Sequence, residues 1–199
     1  MANNSGKKIG LTALIVIALL AIFFYTTYNS FVSKNENVTK TWSNVQSDYQ
    51  RRLDLIPNLV SAVKASSDYE KETLTKLIEA RSKAAQVNVT GSLTYDNYKK
   101  TEQANGDVAS SANRVIAVIE KYPELKTAKS FVRLQDQLEG TERRVKFSRN
   151  EFNQAVMDYN KKVRSFPSSF AASLFGFKIK EGFTADMGTD KAPEINFAK

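Results

Sequence analysis

From Ile9 to Tyr28 the chain reads IGLTALIVIALLAIFFYTTY, with no charged residue. At a rise of about 1.5 Å per residue, such a run matches a hydrocarbon core of roughly 30 Å, where a helix keeps every backbone polar group paired within itself. Lys7 and Lys8 precede the run, and Tyr25 and Tyr28 close it where interfacial aromatics are expected. A single-pass anchor over 1–28 follows, with membrane lipids as the partner of residues 9–28. The positive-inside rule places the N-terminus in the cytoplasm and the rest of the chain outside it, although Lys34 and Lys40 weaken the charge asymmetry. A cleaved signal peptide is the rival reading. Against it, the run exceeds the usual ~7–15 apolar residues and FFYTTY lacks an A-x-A-like cleavage site.

The 199 residues contain neither cysteine nor histidine. Disulfides and thiol chemistry are thereby excluded, and the commonest zinc ligands and neutral-pH general bases are missing. The Glu-x-x-His sets of di-iron bundles cannot be built. Asp186 and Asp190 near Gly188 do not have the spacing of an EF-hand loop. Carboxylate pairs such as Glu70 with Glu72, or Glu139 with Glu142, fall on expected solvent-facing helix surfaces. The expectation is a protein without cofactor or metal that is not an enzyme.

Beyond the anchor the periodicity is helical. Phe31, Val38 and Val45 recur every seven residues, and so do Trp42, Tyr49, Ile56 and Val63, the a and d positions of a heptad. Lys40, Asn44, Gln46 and Asp48 fall off this seam. Only Asn29 and Ser30 separate the apolar run from Phe31, so the anchor is expected to continue into the first bundle helix without a linker. Pro57 then interrupts RRLDLIPNLV. A proline inside a helix removes one backbone hydrogen bond and costs roughly 3 kcal/mol, freeing here the carbonyl of Leu53. A bend or short break is expected, with Arg51, Arg52, Asp54 and Asn58 available to satisfy local groups. Ile56 and Val63 keep one seam across it, so these polar residues read as keepers of shape ahead of any catalytic role.

The pattern resumes through Leu74, Leu77 and Ile78 to about Ala85, and Gln86 to Thr94 reads as a loop. A further helix is marked by Tyr98, Val108, Ala112, Val115, Ile119 and Tyr122. Gly106 predicts a frayed or late start for it, and Pro123 its end. Phe131, Leu138, Val145, Phe152, Tyr159 and Phe166 then recur every seven residues, beside a mostly small or polar series of Leu134, Thr141, Ser148, Ala155 and Lys162. That asymmetry fits either close approach of a neighbouring backbone or a narrow stripe packed against long neighbours. Strict heptads imply left-handed supercoiling with crossings near 20°. The fold class is therefore all-α: an N-terminal transmembrane helix continuing into an antiparallel up-and-down bundle of three to four long helices over 29–166. An aromatic-rich tail over 167–199, with a short helix started at Pro167 and Ser168 and stopped at Gly176, packs on the bundle or on a neighbour.

Two features are candidates for contact with partners. Arg143, Arg144, Lys146, Arg149, Lys161, Lys162 and Arg164 carry most of the net charge of +8. They form either a surface for anionic lipid or an acidic partner, or a solvated face laced with the pairs Glu139–Arg143, Glu142–Lys146 and Asp158–Lys162. Nucleic acid is not expected as a partner, because no groove-reading or base-stacking motif accompanies the charge. The tail supplies Phe166, Phe170, Phe175, Phe177, Phe183 and Phe197, half of the twelve phenylalanines. These rings are expected to bury on the molecule's own bundle, with docking on another subunit or on the bilayer interface as the alternative.

The run from Tyr122 to Phe183, with its YPELK, LQDQLEGTE, YN, FP and FGF islands, resembles the signature of the LemA family. The first half agrees through the YN at Tyr28, Trp42, RRLDLIPNLV and EARSKA from Glu79 to Ala84, so the resemblance covers about Tyr28 to Phe197. Ser130 and Gly182 depart from the family pattern, which usually has asparagine and tyrosine there. The resemblance implies a bacterial cell-membrane protein with a helical bundle and carries no assigned activity. The favoured reading is a noncatalytic scaffold that self-associates as a homo-oligomer or organises envelope partners. An adaptor to a membrane enzyme such as a metalloprotease, suggested by the family's frequent company, is the alternative, and an unrecognised hydrolase the third.

Overall fold

The computed structural model describes residues 3–64, 71–87, 94–126 and 128–183. Among these the regular elements are helical: α1 (Asn3–Lys64), α2 (Lys71–Gln86), α3 (Tyr95–Ile119), a single turn α4 (Pro123–Lys126), α5 (Lys129–Arg164) and α6 (Ser168–Phe175).

The anchor and the first bundle helix are one element. α1 has 62 residues, about 93 Å at the usual rise. Its apolar first third is bare, Ile9 to Tyr25 lying largely exposed, whereas Phe31, Val38, Trp42, Val45, Tyr49, Ile56 and Val63 are buried. Both heptad series thus form the seam.

No break forms at Pro57, which lies inside the continuous α1. The freed Leu53 carbonyl is satisfied instead by Arg81 of α2, whose Nε donates to it at 3.0 Å. Arg51, Asp54 and Asn58, expected to serve this end locally, are exposed, and Asp54 accepts from Gln50 at 2.8 Å. The reason is geometric: side chains on α1's solvent face cannot reach a carbonyl turned toward α2. That contact also shows α2 returning alongside the end of α1, so the pattern beyond the proline belongs to a separate helix.

The long helices alternate in direction. α5 runs antiparallel to α1, since Trp42 stands against Phe152 and Arg52 against Glu142, each ten residues further along opposite chain directions. α3 starts beside Trp42 with Tyr98 and ends at Ile119, in the cluster that also holds Val63, Leu77 and Phe131. Two cores result. One, remote from the anchor, joins α1, α2, α3 and the start of α5. The other, next to the anchor, joins α1, α3, the last half of α5 and the tail.

Thr94 rather than Gly106 sets the start of α3, its hydroxyl accepting from the Asn97 amide at 3.3 Å. The cap satisfies an otherwise orphaned donor and outweighs the cost of one mid-helix glycine. The small series on α5 is buried at Thr141, Ser148 and Ala155, where α5 packs along α1. Phe166 does not continue the heptad stripe: α5 ends at Arg164 and the ring is 81% exposed. The expected loop falls mostly on residues outside the described ones, as do Phe197, Asp186, Gly188 and Asp190.

Candidate functional site

The tail folds back up the anchor-proximal half of the bundle. Ser168, buried, donates to the carbonyls of Lys162 and Ser165 at 2.9 Å each, tying the start of α6 to the end of α5. Gly176 ends α6 in the left-handed region at φ 76°, and the Phe177 amide donates back to Ala172 at 2.9 Å. Glycine takes that conformation without the Cβ penalty of other residues.

From Phe177 to Phe183 the chain carries no helix and is held by two asparagines of α5. Asn160 donates to the Lys180 carbonyl at 2.6 Å and accepts from the Lys180 amide at 2.8 Å. Asn153 does the same for Phe183, at 3.1 and 2.7 Å. Seven helical residues rise about 10.5 Å and three extended residues reach about 10 Å, so the spacing of the asparagines matches that of the tail residues they hold. Phe183 is thereby set into a ring cluster, 5.4 Å from Phe152, 5.6 Å from Tyr98 and 6.0 Å from Trp42. Arg149 caps it with its guanidinium 4.4 Å from the ring centroid.

The five tail phenylalanines among the described residues therefore separate. Phe183 is buried, and Phe177 stacks on Phe31 at 4.7 Å. Phe175 meets Tyr28 at 5.1 Å and Phe24 at 6.1 Å, at the end of the apolar run. Phe166 and Phe170 touch each other at 6.0 Å and remain exposed.

The basic residues of α5 also divide. Arg149 pairs with Glu102 of α3 at 2.5 Å. Of the expected helical pairs, Glu139–Arg143 forms loosely at 3.9 Å. Glu142 turns away from Lys146 to Arg52, which donates to it from Nε at 2.7 Å and from Nη2 at 2.6 Å. Arg52 is 3% exposed and also donates to the Asn105 carbonyl at 3.0 Å. A buried guanidinium has few water contacts left, so it takes the carboxylate that a solvated lysine can do without. Lys161, Lys162 and Arg164 lie at the anchor end of α5, about 22 Å along the axis from Arg149 to Arg164.

A cleft of about 800 Å³ opens between α1, α3 and α5 and is lined by Tyr49, Arg52, Lys99, Glu102, Glu142 and Arg149, among others. Most of its charged groups are engaged with one another, Glu102 with Arg149 and Lys99 and Glu142 with Arg52, while Lys146 stands at its edge outside these pairs. Burial pushes the Tyr49 phenol up to about 12 despite the nearby arginines. Among the described residues no group of three or more carboxylates is placed to hold a metal ion. The arrangement suits rigid cross-linking of three helices better than proton transfer, which requires a free acid or base near neutral pH.

Arg52 was expected to serve the proline locally and instead ties α1 to α5 and α3, a role for which the sequence held a signal. Val45, Arg52 and Leu59 continue the seven-residue series of Phe31 and Val38, so a charge stands on a core position. Asn153 and Asn160 gave no comparable signal, because their partners are backbone atoms of a distant segment.

The magnetosome protein MamQ of Magnetospirillum gryphiswaldense is 25% identical over 193 residues, covering 86% of this chain and 70% of that protein. Magnetosome protein MamQ 2 of Paramagnetospirillum magneticum is 24% identical over 194 residues, 86% of this chain and 71% of its own length. Protein LemA of Metamycoplasma hominis is 19% identical over 156 residues, 77% and 68% of the two chains. The LemA family model matches residues 41–197, from the middle of α1 through the tail, and the chain belongs to the LemA family.

Proposed function

We propose that this protein is a noncatalytic, membrane-anchored helical scaffold of the bacterial cell envelope, which self-associates or organises envelope partners through its bundle. The observation that carries this reading is the continuity of α1. One helix is bare and apolar for its first third and forms the central seam of both cores thereafter. A rigid element shared by lipid and core holds the bundle at a fixed height and orientation, which suits presentation of a surface. The pairing of Arg52 with Glu142 and of Arg149 with Glu102 in the cleft between α1, α3 and α5 supports a structural role over a catalytic one. The lysines before the apolar run support a cytoplasmic N-terminus with the bundle on the opposite side.

Purified full-length protein, examined by light scattering in detergent and in lipid nanodiscs, tests self-association. Defined assemblies of several chains in both are the expected result. A monodisperse monomer in both would sink self-association and leave the adaptor reading, which predicts a change in size only when a specific membrane partner is added.

A further inference from the structure

The short helix α6 carries an apolar face that the bundle does not cover. Ser168, Ala171 and Ala172 turn inward and are buried. Phe170 and Leu174, four apart on α6, turn outward and are 67% and 69% exposed, and Phe166, just ahead of the helix and against Phe170, is 81% exposed. Large rings held in water gain nothing from the fold, since burial of apolar area is what aromatic residues contribute.

The height of this face is set by α1. Phe175, the last residue of α6, packs on Phe24 and Tyr28, and Thr27 between them is 4% exposed. These α1 residues end the uncharged run that spans about 30 Å, so α6 stands at the level where that span meets the headgroups. A pocket of about 490 Å³ adjoins the face. It is lined by Lys34 of α1, Lys161 and Lys162 of the last turn of α5, and Asp158, with Phe23 and Phe166 at its apolar margin. Three ammonium groups against one carboxylate favour an anion, and the flanking rings favour a ligand whose anion is attached to hydrocarbon. Arg143, Arg144, Lys146 and Arg149 do not share this position. They lie about 18 Å or more up α5 from Lys161, well beyond a Debye length of about 8 Å at physiological salt.

We propose that this face is a docking surface for anionic phospholipid. Phe166, Phe170 and Leu174 enter the boundary between headgroups and acyl chains, as amphipathic helices do at a membrane surface, while Lys34, Lys161 and Lys162 hold a lipid phosphate. The bundle is then fixed to the bilayer at two points, α1 and α6, which sets its rotation as well as its height. This inference rests on the reading of α1 as a membrane anchor.

The test uses full-length protein in vesicles of phosphatidylcholine and phosphatidylglycerol, with lipids brominated near the headgroup end of the acyl chain. Phe170→Trp, Leu174→Trp and Ile15→Trp proteins are compared, and the signal of the single native Trp42 is subtracted with the unsubstituted protein. Added tryptophan at 170 or 174 is expected to lose about half its emission to the bromines, consistent with insertion to the headgroup–acyl boundary. Quenching at position 15 without quenching at 170 or 174 overturns the docking surface and leaves the anchor standing, the outcome expected if a second copy or solvent covers α6. Absence of quenching at all three positions overturns both readings. Lys161→Glu with Lys162→Glu in the Phe170→Trp protein is expected to reduce quenching in vesicles containing phosphatidylglycerol and to leave it unchanged in pure phosphatidylcholine. Unchanged quenching in both vesicle types overturns the phosphate pocket.

Discussion

Arg81 of α2 donates its Nε hydrogen to the carbonyl of Leu53 at 3.0 Å, supplying the bond that Pro57 withholds from α1. A proline-induced defect is thereby turned into an interhelical tie. Arg81→Ala leaves that partly buried carbonyl without its donor and is expected to destabilise the bundle by about 1–2 kcal/mol. With Pro57→Ala the helix regains an amide of its own, so Arg81→Ala should cost less in that background. A double-mutant cycle, read from denaturation of the full chain in mild detergent, measures the coupling. Equal costs in both backgrounds would show that Arg81 and Pro57 are independent.

The bidentate pair between Arg52 and Glu142 makes a second interhelical tie, with side chains 4% and 45% exposed. Glu142→Ala strands a buried guanidinium on the Asn105 carbonyl alone, at a cost of about 2–4 kcal/mol after allowing for the exposed side of the pair. Replacing both partners together, Arg52→Met with Glu142→Leu, is expected to recover most of that loss, since no buried charge then lacks a partner. Thermal unfolding of the three proteins checks the order. A double variant less stable than Glu142→Ala would show that the pair contributes net stability rather than avoiding a penalty.

The helices, their heptad seams and their alternation were legible because periodicity is local and repeated: Phe31 to Val63 and Phe131 to Tyr159 are buried as spaced. The ties were legible only in part. Arg52 occupies a seam position in the sequence, but its partner on α5 depends on register between helices. Glu142 looked committed to Lys146 by the i,i+4 rule, and the desolvated arginine outcompetes it. Phe166 fits the heptad by number, yet α5 ends two residues earlier at Arg164, and a stripe has no meaning once the helix stops. The pairing of Asn153 and Asn160 with Phe183 and Lys180 equates a helical repeat with an extended one, a match visible only when both segments lie side by side.

Tyr49 gives the bundle an alkaline limit. Burial is the leading cause that raises its phenol from 10.0 to about 12, outweighing the lowering by Arg149 and Arg52. Below pH about 10 the phenol is neutral in both states and the stabilisation is complete. As pH rises toward about 12, the unfolded chain gives up the proton while the folded one retains it, and about 3 kcal/mol is lost at most. Tyr49→Phe is therefore expected to lose less stability than the unsubstituted chain over this interval, as measured by denaturation at matched pH values. Parallel pH profiles would exclude Tyr49 as a source of the alkaline loss.

Gly182 lies at a close approach between the tail and α5. Its carbonyl accepts from the Tyr98 hydroxyl at 2.7 Å, and a Cβ there would stand 2.6 Å from Asn153 Oδ1. Moving that oxygen is ordinarily cheap at the end of a side chain, but here it accepts the Phe183 amide. Gly182→Ala therefore forces a choice between steric overlap and the loss of the Asn153 bonds, which is expected to cost about 1–2 kcal/mol. The loss should fall first on the tail, because Phe183 is seated among Trp42, Tyr98 and Phe152 by those bonds. Faster proteolysis within the segment after Gly176, while the helical circular dichroism of the bundle is retained, is the expected signature. Asn153→Ala should reproduce it, and adding Gly182→Ala to Asn153→Ala should cost little more, since the obstructing oxygen is already gone. Additive losses in the double variant would show that Gly182 acts through some other contact than Asn153.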